Sequence, residues 1–206
     1  MALTDSYLGG GTIKKSNQWS HGMNVLVFNC GSSSQIARLY QVGAQGDPCI
    51  LAEFKASSVD TPASALPEIA WRIGDKTGRQ KAVQLTHREA AAAILDLLKE
   101  HGLKVDAIGH RFVHGGKLFN ATIQVTDEVI DKLRACFPLA PIHNPNSFSV
   151  INLCLSALPG VAQFAVFDTA FHAGLPESAR RYALPQDLAE KYGYLKYGFH
   201  GLSCQY

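Results

Sequence analysis

Five short clusters in this chain combine residue types that bind anions or hold cations, and several of them end apolar strands. The first is Asn29-Cys30-Gly31-Ser32-Ser33-Ser34. Gly31 permits a tight turn, while Ser32, Ser34 and successive backbone N–H groups can form a concave anion site. Asn29 can hold a metal-bound water or a phosphate oxygen. The same residues also suit an ordinary polar hairpin turn. The second cluster runs from Gly109 to Gly116 and carries Arg111 between Ile108, Phe112 and Val113. A guanidinium in so apolar a strand needs an anionic partner, either a bound carboxylate or phosphate or a structural aspartate. Its planar fork donates in pairs to such groups. His110 and His114 are four residues apart, which on a strand gives no compact metal face.

The third cluster, Leu139 to Pro145, sets Ile142 and His143 just before a helix whose amino end favours anions. Read alone, it is a helix-entry loop with a satisfied histidine. The fourth runs from Val166 to His172. Asp168 follows a buried strand directly, where a carboxylate can order magnesium-bound waters, orient a reacting group, or simply cap the next turn. The last, Tyr197-Gly198-Phe199-His200-Gly201, is a glycine-bounded turn with one aromatic ring and one histidine. Ligands of open α/β sheets bind at strand ends of this kind.

The elements that must position these groups follow from hydrophobic period and capping signals. Residues 23–29 form a continuous apolar, β-branched run, as in a strand buried on both faces. Residues 36–42 alternate, and 49–55 complete a three-stranded antiparallel meander. Signals are weak over 60–78, where Pro62 and Pro67 interrupt any helix. Thr86 and Glu89 form a capping box for a helix whose apolar face is Ala90, Ile94, Leu97, Leu98 and His101, ended by Gly102. A strand over 106–113, a helix over 126–137, a helix over 144–158 opened by Asn144-Pro145, and a buried strand over 161–167 complete the order. Three strands followed by alternating helices and strands predict an α/β fold with a mixed β-sheet covered by helices.

The 206 residues have a net charge of +2 with 17% charged residues, too little and too scattered for a nucleic-acid or membrane surface. Five cysteines, with no CxxC pair, disfavour both a disulfide framework and a structural zinc site, so the expected compartment is the reducing cytoplasm. Residues 1–22 carry a glycine triplet and no continuous apolar stretch, and are expected to be a flexible tail.

Taken in order and at their separations, the five clusters resemble the acetate kinase family, whose motifs read NxGSSSxK, GHRxVHGG, AP(L/I)HNP, FDTAFH and YGFHGxSH. The resemblance spans about residues 23–204. It implies a ribonuclease H-like fold of the kind shared by actin, Hsp70 and sugar kinases. Residues 23–170 would be the first α/β domain, and 171–206 the unfinished start of a second, truncated one. It further implies reversible phosphoryl transfer from ATP to acetate, giving ADP and acetyl phosphate, with Mg²⁺. Carried over motif by motif, Asn29 matches the magnesium-associated asparagine, and Gly31, Ser32 and Ser34 the phosphate loop. Arg111 matches the arginine that binds the substrate carboxylate, Asp168 the active-site aspartate, and His200 the histidine that stabilises the transition state. Val113, Ile142 and Phe199 stand where the family forms a small apolar pocket for the acetate methyl group.

Three departures accompany the resemblance. The lysine that ends the first family motif falls on Ile36, so a cation expected near ATP is replaced by an apolar side chain. Leu202 and Cys204 replace a threonine and a histidine in the last motif. Family members are homodimers of roughly twice this length. The chain by itself is therefore expected to lack the adenosine site and to be inactive as a kinase, with a mobile His200 loop. The alternatives are a non-catalytic relative that binds a small anion or a partner protein, and a propionate or butyrate kinase.

Overall fold

The computed structural model describes residues 22–43, 47–61 and 66–206. Apart from Gly22, the tail expected over residues 1–22 lies outside these. Among the described residues the strands are β1 (Met23–Cys30), β2 (Ser34–Val42), β3 (Cys49–Ser57), β4 (Glu68–Ile73), β5 (Lys76–Lys81), β6 (Ala107–Phe112), β7 (Ile123–Gln124) and β8 (Ala162–Phe167). The helices are α1 (His87–Glu100), α2 (Asp127–Ala135), α3 (Asn144–Ala157), α4 (Glu177–Arg180), α5 (Gln186–Tyr192) and α6 (Gly201–Gln205). All eight strands join one mixed sheet in the order β5-β4-β3-β2-β1-β6-β8-β7.

The first five strands form an antiparallel meander, and β6 and β8 then add in parallel beside β1. The meander is longer than the three strands expected from sequence. β4 and β5 form a hairpin across Gly74 and Asp75, with Gly74 in the left-handed region at φ 55°. β5 escapes a periodicity reading because it is an exposed edge strand, KTGRQK, with no apolar face. Charged edges of this kind resist pairing with other chains.

α1 begins as its sequence dictates. Thr86 caps it by accepting from the Glu89 N–H at 3.2 Å, while the Glu89 carboxylate accepts from the Thr86 N–H at 2.8 Å. Its Ala90, Ala91, Ile94 and Leu98 pack with Val150 and Cys154 of α3 against Leu26, Phe28 and Cys30 of β1 and Ala37 and Leu39 of β2. α2 and α3 cover the other end of the same face through Val129, Leu133, Phe148 and Ile151, against Phe112, Ala165 and Phe167. Each large apolar side chain buried there contributes about 1.5–3 kcal/mol.

Pleating then dictates what the opposite face carries. Phe28, His110 and Phe112, and Ala165 and Phe167, point into the helical layer. Their neighbours Asn29, Arg111 and Val166 therefore project from the other face, and Asp168 follows Val166 by one pleat.

Candidate active site

β1, β6 and β8 lie side by side and run in the same direction, so their carboxyl ends bring together residues far apart in the chain. Arg111 is the centre of that edge. It donates from Nε to the two Asp168 oxygens at 3.0 and 3.2 Å, and from Nη2 to Oδ2 at 2.5 Å. Its Nη1 donates to Asn29 Oδ1 at 3.0 Å. Asn29, Arg111 and Asp168, each singled out from sequence, thus form one hydrogen-bonded group. The Asp168 side chain is only 3% exposed, and Arg111 is the partner that compensates its burial. Asp168 is therefore the anionic partner that the apolar surroundings of Arg111 demanded, rather than a cap for the following turn. The hydrogen bonds to Asp168 push the Arg111 pKa further up, and burial opposes them. A guanidinium has five N–H groups, so one hydrogen remains on each terminal nitrogen for a further acceptor.

The serine turn sits next to this group. Gly31 N–H donates to the Ser34 carbonyl at 2.7 Å, closing the turn and leaving Ser32 and Ser33 exposed. A Cβ on Gly31 would lie 3.2 Å from the Ser34 backbone oxygen, which keeps the turn tight. Two residues not singled out by sequence hold it from behind. Buried His87 contacts Asp60 Oδ2 through Nδ1 at 2.5 Å and the Gly31 carbonyl through Nε2 at 3.0 Å. Extending the α1 apolar face back one turn, from Ala91 and Ala90 to His87, is the sequence signal that would have revealed it.

The Gly115-Gly116 loop is tied to the start of α3 by Asn144, which is fully buried. Asn144 donates to the carbonyls of His114 and Cys136 at 3.0 and 2.8 Å and accepts from the His114 N–H at 3.2 Å. His143, expected to be satisfied, has a buried Nδ1 with no hydrogen-bond partner. His110 and His114 serve different environments. His110 faces the core and donates from Nε2 to Gln163 Oε1 at 2.8 Å, and burial pushes its pKa down to about 4. His114 Nδ1 accepts from the Gly116 N–H at 3.0 Å, and burial lowers its pKa too.

His200 is exposed and left-handed, at φ 56°. The next residue, Gly201, donates its N–H to the Asp168 carbonyl at 2.9 Å, and His172 Nε2 lies 3.0 Å from the Phe199 carbonyl. The loop expected to be mobile is thus tethered on both sides of His200. Of the apolar residues implied for the methyl pocket, Val113 is buried, whereas Ile142 is 64% and Phe199 47% exposed. The Phe199 ring stands edge-on to His114, with centroids 5.4 Å apart.

Asn29 and Asp168 are hard oxygen donors held on a common guanidinium. Mg²⁺ takes one or two carboxylates with several waters and substrate phosphates, and this pair fits that donor set. No group of three or more His, Cys, Asp or Glu suited to a metal occurs among the described residues. An ion here would therefore draw its remaining ligands from water and phosphate.

The mixed sheet flanked by helices, with its parallel central strands ending at the Arg111–Asp168–Asn29 group, is of the ribonuclease H-like α/β class, the fold of the solved structures it superposes on. Within that class the acetokinase family model matches residues 24–206, and the chain belongs to this family. The acetate kinase of Porphyromonas gingivalis is 41% identical over 191 residues, which cover 89% of this chain and 47% of that protein. The crystal structure of a Porphyromonas gingivalis acetate kinase superposes with a TM-score of 0.77 at 36% identity, covering 89% of this chain and 47% of that one. A propionate kinase from Francisella tularensis gives a TM-score of 0.75 at 32% identity, again over 89% and 47% of the two chains. The chain spans about half the length of the curated relatives it matches. No helix among the described residues is long and apolar enough to cross a membrane.

Proposed function

We propose that this chain carries the carboxylate-binding and phosphoryl-facing side of an acetate kinase site, for the reaction of ATP with acetate to give ADP and acetyl phosphate. The observation that carries this reading is the convergence of Arg111, Asp168 and Asn29 at the ends of adjacent parallel strands. Acetate is ionised at pH 7, so its oxygen attacks phosphorus without a general base. The difficulty is the approach of two anions and the charge on the equatorial phosphoryl oxygens. Arg111 meets the first difficulty, since its remaining N–H groups face an incoming carboxylate while Asp168 fixes the orientation of the guanidinium. His200, projecting from a tethered loop, donates to the transferring group. Asn29 and Asp168 would hold Mg²⁺, which when bound offsets phosphate charge. Ser32 and Ser34 present hydroxyl donors to phosphate oxygens from the turn that the Gly31 N–H closes.

Val113, Ile142 and Phe199 line the side facing the methyl group. One methylene changes binding by only ~1–3 kcal/mol, so propionate is a second acceptor; the likeness to a propionate kinase supports this. The chain spans about half the length of the acetate kinases it matches, and holding both substrates in line supplies ~7–11 kcal/mol of barrier reduction in reactions of this kind. A hydroxamate assay with ATP, Mg²⁺ and acetate should therefore detect no acetyl phosphate from the 206-residue protein alone. Fusion to the carboxy-terminal half of the Porphyromonas gingivalis acetate kinase should produce it. Turnover by the isolated chain near that of a complete acetate kinase would refute the division of the site. A fusion equally active with Arg111→Ala would refute the role of Arg111.

A further inference from the structure

The lysine that the family motif places two residues after the last serine of its glycine–serine turn is Ile36 here, on the outer face of β2. The sheet register shows what stands beside it. Ile36 pairs with Asn29 on one side and with Lys55 of β3 on the other, so the three side chains form one row on one face. Arg111 continues that row through its hydrogen bond to Asn29. Directly paired residues have Cβ atoms about 4.5–5.5 Å apart, and the four-carbon stem of a lysine exceeds that gap.

Lys55 is also close to the serine turn. Ser57 lies two residues further along β3 on the same face and pairs with Ser34, a displacement of about 6.6–6.8 Å along the strand. Ile36 and Lys55 line the same surface cavity, of about 340 Å³, with Ala70 opposite. Charge matching leaves the ammonium available. Glu53, the acid nearest along β3, is already held by Arg38 at 2.9 Å and Arg72 at 2.5 Å. Among the described residues, none of the ion pairs includes Lys55. The Ile36 side chain gives the lysine stem an apolar bed, the arrangement in which a long cation lies along a surface with its head in water.

We propose that Lys55 supplies from β3 the phosphate-directed cation that the family carries at position 36, so that the polyphosphate side of the site is rebuilt from the neighbouring strand. The ligand class is a polyphosphate, and the assignment rests on the acetate kinase reading for its place in a reaction. It is a binding role distinct from the carboxylate role of Arg111.

The test is titration of the 206-residue protein with sodium tripolyphosphate at low ionic strength, followed by backbone amide NMR, with acetate titrated in parallel. Lys55→Ala should weaken tripolyphosphate binding roughly tenfold, the scale of one charge-assisted contact, while Lys76→Ala at the far end of the hairpin leaves it unchanged. Adding Ile36→Lys to Lys55→Ala should restore the affinity by returning the cation to β2. Acetate binding should persist in Lys55→Ala and vanish in Arg111→Ala. Equal tripolyphosphate affinity in wild type and Lys55→Ala, no measurable binding by the wild type, or no restoration by Ile36→Lys would overturn the assignment. If acetate then still binds through Arg111, the kinase reading survives without it. If acetate fails to bind while Lys55→Ala still weakens tripolyphosphate and Ile36→Lys restores it, Lys55 stands as a polyphosphate cation and the kinase reading falls.

Discussion

The Gly201 N–H donates to the Asp168 carbonyl at 2.9 Å, and this single bond fastens the His200 loop to the end of β8. The approach is possible only without a side chain, because a Cβ at Gly201 would lie 2.3 Å from that carbonyl oxygen. His200 is left-handed beside it, a conformation that costs a non-glycine residue about 1–2 kcal/mol and persists because neighbouring contacts impose it.

Gly201→Ala should therefore break the tether. We expect a loss of roughly 1–3 kcal/mol in stability and a lower Tm, together with a shift of the His200 ring signals in NMR spectra. A variant that melts like wild type with unmoved His200 signals would show that the loop is held elsewhere.

Removing Arg111 should do more than abolish acetate binding. It strands the Asp168 carboxylate, which is almost fully buried, and breaking such a pair from one side costs about 3–5 kcal/mol. In urea denaturation, Arg111→Ala should be markedly less stable than Lys117→Ala. Combining Arg111→Ala with Asp168→Asn should recover part of the loss, because the stranded charge is gone. Non-recovery would mean that Arg111 stabilises by packing.

Burial lowers the His110 pKa from 6.5 to about 4, so the unfolded chain takes up a proton that the folded chain refuses. The sign is clear: this contribution is fully present above pH 6.5 and declines as pH falls, until the folded ring is protonated near 4. The total is roughly 3 kcal/mol. Stability measured from pH 7 to pH 4 should fall less steeply in His110→Leu than in wild type, whatever its absolute value. Parallel curves would assign the acid sensitivity to other groups.

At the start of α1, Thr86→Ala removes the oxygen that accepts from the Glu89 N–H and breaks the reciprocal capping box. A loss of about 1 kcal/mol is expected in chemical denaturation, with Thr86→Ser close to wild type. Equal losses in both variants would point to the Thr86 methyl group instead.

The local signals that sequence carries were enough for β1, β2, β3, β6, β8 and the three long helices, because period, caps and turn residues act over a few neighbours. The same locality explains what escaped. β5 is an edge strand without an apolar face, so only the Gly74-Asp75 turn marks its hairpin. The types of Asn29, Arg111 and Asp168 announced anion and metal chemistry, but not their mutual arrangement. Arg111 lies 82 residues from Asn29 and 57 from Asp168, and it is the parallel register of β1, β6 and β8 that joins them. The His87–Asp60 contact behind the serine turn and the place of Lys55 beside Ile36 are likewise set by pairing between distant segments. Residue identity determined which chemistry was available. Only the tertiary structure decided which charges meet, because strand register and the side of the sheet on which a side chain emerges arise from packing the whole sheet against its helices.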